Sequence, residues 1–300
     1  MSDGRAASVR QRLLNLARSR GEDFQLLVTR YGIERFLYRL GRSEHFVLKG
    51  AMLFHVWGIE DHRPTKDVDL LGFGSFEEDH VRRMMQAVLV VPVEDDGLRF
   101  DLESLVVSRI REDDAYGGIR AEVRYDLAGM QLRLQIDVGI GDAIVPEAES
   151  ATFPTLLDDD APRLRIYRRE TVVAEKLHAM VLLGLANSRM KDFYDVAFLA
   201  DHFDFDGRPL VDAIAATFER RRTPVPEALP LALTDAFAGD EVKRTQWSAF
   251  LRRSRLPVAD LADVVAGISA FVARPIIAAA EGRSYGLRWR AGGPWREVGT

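Results

Sequence analysis

Two short segments in which apolar and polar residues alternate, one carrying two carboxylates and the other a single one on its polar side, constrain this chain more than anything else in it. In Leu132–Val138, Leu132, Leu134, Ile136 and Val138 alternate with Arg133, Gln135 and Asp137. Successive side chains of a β-strand point to opposite faces, so this segment reads as a strand with one core face and one polar face, and Asp137 lies on the polar one. Asp67-Val68-Asp69-Leu70 repeats the logic: the two carboxylates share a face and Val68 and Leu70 anchor the other. Arg120–Tyr125 also alternates, and a turn near Ala128-Gly129 joins it to Leu132–Val138 as an antiparallel hairpin.

The surroundings complete a mixed first half. Arg5 to Arg20 and a segment opening at Glu22-Asp23 and running to about Leu40 have helical spacing of apolar residues. Phe46–Lys49 is a short apolar strand running into Gly50. A helix is expected over Ala51–Trp57, then a loop over Ile59–Pro64. Ser75-Phe76-Glu77-Glu78 has the spacing of a capping box at the head of a further helix. Residues 142–160, with Pro146, Pro154 and three consecutive aspartates, read as loop. From Thr171 the period changes to that of helices: one to Leu185, a break at Asn187-Ser188, a second capped by Ser188 and reaching about His202, and more to about Ala280. The tail from Gly282, rich in Gly, Arg and Trp, is expected to be irregular. The expectation is an α+β chain: residues 1–165 form a mixed sheet with flanking helices behind a helical preface, and residues 166–300 form a helical domain with a basic tail.

Composition narrows the setting. The 300 residues carry 41 basic and 46 acidic side chains, a net charge of −5, so nucleic-acid binding would need a local basic patch. The absence of cysteine excludes disulfides and thiolate zinc sites and is compatible with a reducing cytoplasm. The start of the chain does not read as a signal peptide. Apolar stretches such as Ala87 to Val93 are too short to span a bilayer, and a soluble cytoplasmic protein without a membrane partner is expected.

Adjacent carboxylates repel unless a cation sits between them. Mg2+ (or Mn2+) answers that need with hard oxygen ligands while leaving positions for water and phosphate. Asp67 and Asp69, with Asp137 as a third donor from a neighbouring strand, are therefore candidate metal ligands. The plainer reading of an isolated Asp-x-Asp is a solvated strand edge. What favours the chemical reading is the order of parts: a strand ending at Gly50, a short helix, then Arg63-Pro64-Thr65-Lys66-Asp67, an order suited to handling phosphate.

Lys49-Gly50-Ala51 followed by Arg63-Pro64-Thr65-Lys66-Asp67-Val68-Asp69 resembles the nucleotidyltransferase signature of the polymerase β superfamily. Val173-Ala174-Glu175-Lys176-Leu177-His178-Ala179 and Ser188-Arg189-Met190-Lys191-Asp192-Phe193-Tyr194-Asp195 resemble two further motifs of the AbiEii/AbiGii toxin family. The four matches come in the family's order and cover roughly residues 45 to 200. The resemblance implies a nucleotidyltransferase fold, transfer of a nucleoside monophosphate from an NTP to a hydroxyl, a cognate antitoxin and a role in phage defence. Some relatives modify the tRNA 3′ end, which makes tRNA or other RNA the leading acceptor. One departure stands out: the superfamily's Gly-Ser is Gly50-Ala51 here, so a hydroxyl that helps hold the terminal phosphate is missing.

The resemblance carries Asp67, Asp69, Asp137, Lys176 and Asp192 over as catalytic candidates. It also carries Gly50, Ala51, Arg63, Lys176, Lys191 and Asp195 over as nucleotide-binding candidates. Each has a plainer alternative. Lys176 can be a phosphate-binding charge, or a helix lysine paired with Glu175. Asp192, Asp195 and Lys191 can serve the site, with Asp192 orienting Lys176 or the acceptor, or they can form a surface ion-pair network in which Lys191 pairs with Asp195. Arg63 can touch the triphosphate or be a loop arginine. Arg163, Arg165, Arg168, Arg169, Arg220–Arg222, Arg252-Arg253 and the tail arginines, with Trp289 and Trp295 interleaved, can contact RNA by charge and stacking or be solvated faces. Two rival functions remain: a small-molecule nucleotidyltransferase, and a degenerate fold kept for binding antitoxin or nucleotide.

Overall fold

The computed structural model describes residues 2–59, 62–74, 77–110 and 117–297. The chain forms two compact units, residues 1–141 with 149–166, and residues 142–148 with 167–300.

The first unit opens with helices α1 (Ser2–Arg20) and α2 (Phe24–Leu40), the latter capped by Asp23, whose side chain accepts the Leu26 N–H. Next come β1 (Phe46–Lys49), a single 3-10 turn over Gly50–Met52 and one turn of helix, α3 (Leu53–Val56). β2 (Asp67–Gly72) follows, then α4 (Glu78–Leu89), β3 (Leu98–Ile110), β4 (Gly118–Leu127), β5 (Met130–Ile140), β6 (Glu149–Thr152) and β7 (Arg163–Ile166). These strands make one seven-stranded mixed sheet in the order β3-β4-β5-β2-β1-β7-β6. β2 runs parallel to β5 and β1 parallel to β7, and the other neighbours are antiparallel. The expected α+β class with helices flanking a mixed sheet is what the chain adopts.

Three details differ from the sequence reading. The helix expected over Ala51–Trp57 is present but opens as a 3-10 turn at Gly50 and is α-helical only over Leu53–Val56. β6 and β7 arise in and just after a stretch read as loop; β7 is only four residues long and lengthens the sheet by pairing Leu48 with Ile166. The expected capping box cannot be compared, because Ser75 lies outside the described residues; α4 itself starts at Glu78 behind Glu77, which gives no side-chain cap.

Alternation decides how the sheet is used. Val68, Leu70, Ile119, Ala121, Val123, Tyr125, Leu134, Ile136 and Val138 are buried, and α1, α2 and α4 lie against the strands that carry them. Ionic contacts then fix α2 to the loops beside it. Buried Arg39 makes a two-pronged pair with Asp96 at 2.6 and 3.3 Å. The Tyr31 hydroxyl donates to the Asp96 carbonyl and to Asp159, and the Glu34 carboxylate accepts the Leu156 N–H at 2.7 Å.

The second unit contains α5 (Arg169–Leu183), α6 (Met190–His202), β8 (Phe205–Asp206), α7 (Gly207–Arg220), α8 (Asp235–Ala238), α9 (Glu241–Ser254), α10 (Leu261–Ala280), β9 (Leu287–Trp289) and β10 (Trp295–Glu297). Among the described residues α10 is long and apolar enough to cross a membrane, with a mean hydropathy of 1.7. This corrects the expectation that no apolar stretch reaches that length. In the structure Val265, Ile268, Phe271, Val272 and Ile276 are core residues, and α10 packs on α6 and α7, as a central helix of a folded unit does.

The tail is also not irregular. β9 and β10 form a hairpin that pairs with β8. Trp289 and Trp295 are buried; their indole N–H groups donate to the carbonyls of Ala200 (2.7 Å) and Phe271 (2.8 Å), and both rings pack on Phe271. The interleaved tryptophans are core, closed to base stacking. Arg288 and Arg290 pair with Asp204.

Burial is the leading cause that pushes the Glu34 carboxyl from an ordinary 4.5 up to about 7, with the Leu156 N–H and Arg35 opposing it. A raised carboxyl contributes most to stability below its unfolded value and loses that contribution as pH rises through the folded value. Glu34→Gln should therefore flatten the decline in thermal midpoint between about pH 4.5 and pH 7, measured by calorimetry across that range.

Candidate active site

Sheet register assembles the polar face of the first unit. Asp69 pairs with Lys49 on β1 and with Asp137 on β5, and Asp137 pairs with Arg120 on β4. Residues paired across a sheet project to the same side. One row across four strands therefore reads Lys49, Asp69, Asp137, Arg120: two acids flanked by two bases. Asp67 stands one step along the same face, opposite Gln135. The three aspartates read from the sequence thus share one face, and Asp67 and Asp69 are half-buried.

Gly50 adjoins this row. Its φ is +71°, and a Cβ there would overlap the Asp69 carboxylate. Only glycine can make this turn so close to the acid. Ala51 is buried in the 3-10 turn behind it, and Arg63 is half-buried in the loop before β2.

Arg120, which the sequence reading passed over, holds Asp137. Its Nε and Nη2 donate to the two carboxylate oxygens at 2.8 and 2.7 Å, the planar fork geometry that makes guanidinium–carboxylate pairs strong. With its side-chain amide turned to satisfy its neighbours, Gln135 accepts from the same guanidinium at 3.1 and 3.2 Å. The hydrogen bond to Asp137 leads the effects that hold the Arg120 guanidinium above its ordinary pKa, and the charge of Asp67 adds to it. The clue was in the hairpin: a two-residue turn at Ala128-Gly129 sets position 120 opposite position 137.

The donor chemistry suits a divalent cation, since hard carboxylate oxygens from two neighbouring strands meet on one face beside a tight turn. Among the described residues, however, no three Asp, Glu or His side chains are gathered closely enough to hold an ion. Both oxygens of Asp137 are held by Arg120.

The second unit holds a separate charged cluster. The Lys176 ammonium on α5 donates to Asp192 at 2.7 Å and pairs with Asp195 at 2.8 Å, both on α6. Asp192 and Asp195 are buried, and Arg189 Nε reaches Asp192 at 2.7 Å. Burial alone would raise the Asp192 carboxyl; the charges of Lys176 and Arg189 outweigh it and hold the group below the ordinary carboxylate range. This corrects the surface-network alternative, because the cluster lies in the interior. Asp195 turns to Lys176 instead of forming the expected pair with Lys191, which is exposed.

Support behind this cluster also escaped the sequence reading. Ser188 does not cap α6. The buried Asn187 side chain instead accepts the Arg189 N–H at 2.8 Å, and buried Lys243 donates to the Asn187 carbonyl at 3.0 Å. Glu175 and Asp142 share Arg221, and His178 is a buried packing residue against Phe218 that bonds to Thr223.

A family model described as a nucleotidyl transferase AbiEii toxin of type IV toxin–antitoxin systems matches residues 35–272. The chain belongs to the AbiEii nucleotidyltransferase toxin family. Among solved structures, a candidate nucleotidyltransferase from H. pylori matches with a TM-score of 0.50 at 17% identity, covering 87% of this chain and 98% of that one. JHP933 from Helicobacter pylori matches at 0.49 and 17%, covering 87% and 95%. At such identity the first likeness speaks to the fold. No curated protein matches the chain.

AbiEii membership and the site geometry make two substitutions informative. Gly50→Ala forces a left-handed alanine against Asp69 and should cost at least about 1–2 kcal/mol in urea unfolding. Lys176→Met strips two buried carboxylates of the ammonium they share and should cost roughly 3–5 kcal/mol in the same measurement. A loss under 1 kcal/mol for the second would mean water already reaches that pair.

Proposed function

We propose that this AbiEii chain transfers a nucleoside monophosphate from an NTP to a hydroxyl acceptor at the tRNA 3′ end, acting as the toxin of a pair with a cognate antitoxin. The observation that carries the reading is the register that sets Asp69 opposite Asp137 with Asp67 on the same face, next to the Gly50 turn. In this reading Asp67, Asp69 and Asp137 hold Mg2+ or Mn2+. When bound, such an ion stabilises charge on the phosphates and acidifies the acceptor hydroxyl.

The chain's own groups do the rest. The acceptor oxygen forms a bond to the α-phosphorus as the α–β bridging bond breaks, and pyrophosphate leaves. Asp137 is the group assigned to receive the hydroxyl proton on a carboxylate oxygen. Gly50 lets backbone N–H groups approach the triphosphate, and Arg63 is assigned to the same anion. Lys176 is assigned a phosphate or pyrophosphate charge, with Asp192 and Asp195 fixing its ammonium. Lys191 is assigned a nucleotide contact. With Ala51 in place of serine, terminal-phosphate binding falls to backbone groups and arginine.

The tRNA acceptor is supported by the family resemblance and by exposed Arg163, Arg165, Arg168, Arg222, Arg252 and Arg253. Aromatic stacking by Trp289 and Trp295 no longer supports it.

Incubation with each α-labelled NTP, Mg2+ and total tRNA should label tRNA. Asp69→Asn should lower that labelling by on the order of 10²-fold or more. Labelling of an aminoglycoside panel with none on tRNA would overturn the acceptor, and full activity in Asp69→Asn would overturn the site.

A further inference from the structure

The row Lys49, Asp69, Asp137, Arg120 poses a question that the transfer reaction does not answer: why an acid assigned to a metal has both its oxygens on a guanidinium. The hairpin register sets Arg120 opposite Asp137, and its guanidinium engages both carboxylate oxygens. Its side chain is about one third exposed (36%) and Asp137 one fifth (20%), so the pair sits at the surface of the polar face with room to part. Glu122, two residues along β4 on the same face, already takes Arg133 at 3.0 Å. Asp137 and Gln135 are therefore the partners that fix Arg120 where it is.

We propose that Arg120 is a built-in counter-ion that stands in for the metal on Asp137, so that cation uptake is an exchange in which a divalent ion displaces the guanidinium. The inference rests on the metal-binding reading of Asp67, Asp69 and Asp137. Without a cation, three carboxylates on one sheet face would repel and splay. Arg120 neutralises one of them and keeps the strand register loaded with acid at the right place. A divalent ion carries twice the charge and approaches carboxylate oxygen at about 2.0–2.1 Å, against 2.7–2.8 Å for the guanidinium nitrogens, so its attraction at contact is the stronger and offsets the water it sheds. The exchange makes metal affinity weaker than the three acids alone would give. Arg120 is thus a positioning residue that sets the affinity of the site through Asp137.

Mn2+ binding to the full chain, followed by the loss of the free-ion signal in electron paramagnetic resonance and by calorimetry, tests this without any turnover. Arg120→Gln should bind Mn2+ about tenfold more tightly than wild type and should melt earlier than wild type when no metal is present. A nearby positive charge weakens cation binding even without touching a ligand, so the decisive comparison adds Asp137→Asn. If Arg120 acts through Asp137, Arg120→Gln gives its gain in the wild-type background and none in the Asp137→Asn background. An equal gain in both backgrounds, or no gain in either, overturns the exchange. Arg120→Lys keeps the charge but not the fork, and should fall between wild type and Arg120→Gln. Asp69→Asn separates the two levels: if it leaves Mn2+ uptake intact, or if wild type takes up none, the metal reading itself fails. If it abolishes uptake while Arg120→Gln changes nothing, only the exchange fails.

Discussion

The parallel pairing of β2 with β5 is the constraint on which the functional face depends. Six consecutive pairs, from Asp67 opposite Gln135 to Gly72 opposite Ile140, fix the register. A slip of β2 by one residue would turn Val68 outward and send Asp69 into the helices. The apolar residues of these strands are nearly fully buried, so the free energy that packs α1, α2 and α4 on one face also holds the acids on the other. The carboxylates meet because the register that buries the apolar face brings them together.

Placing like charges together has an electrostatic cost, and the chain meets it by alternation. Each aspartate of the central row has a basic residue on its outer side in register, Lys49 beside Asp69 and Arg120 beside Asp137. The lysine precedes the Gly50 turn, so one tripeptide supplies a cation, a tight turn and a close backbone approach to the acid. That economy explains why Lys49-Gly50-Ala51 reads as a motif although none of its residues is unusual alone.

Much of this was legible in the sequence because alternation is a local property. The faces of β2, β4 and β5, the hairpin at Ala128-Gly129 and the acids at 67, 69 and 137 all follow from a period of two. What stayed hidden depends on contacts distant in sequence. Residues 142–160 look like loop, yet β6 forms inside them because β7 gives it a partner. The tryptophans of the tail look suited to nucleic acid, since basic and aromatic residues mixed together fit a core hairpin equally well until Phe271 is seen beneath them. Lys243 of α9 is buried on the Asn187 carbonyl, a contact between residues 56 apart that no local period shows. Arg120 was within reach, because the turn that was recognised already determines its partner.

The two charged clusters treat the same problem in opposite ways. In the second unit Lys176 holds two carboxylates that are almost wholly buried, at 1% and 0% side-chain exposure, and Arg189 and its Asn187–Lys243 support brace one of them. Parting such a pair would strand charge in a medium that cannot solvate it, so the arrangement is fixed. In the first unit Arg120 and Asp137 are partly exposed, and water can solvate either partner on separation. Burial, more than the number of hydrogen bonds, therefore separates an ion pair that fixes a structure from one that can be exchanged. By that criterion the Arg120–Asp137 pair can part in water, and the Lys176 cluster is a rigid charge built once on folding.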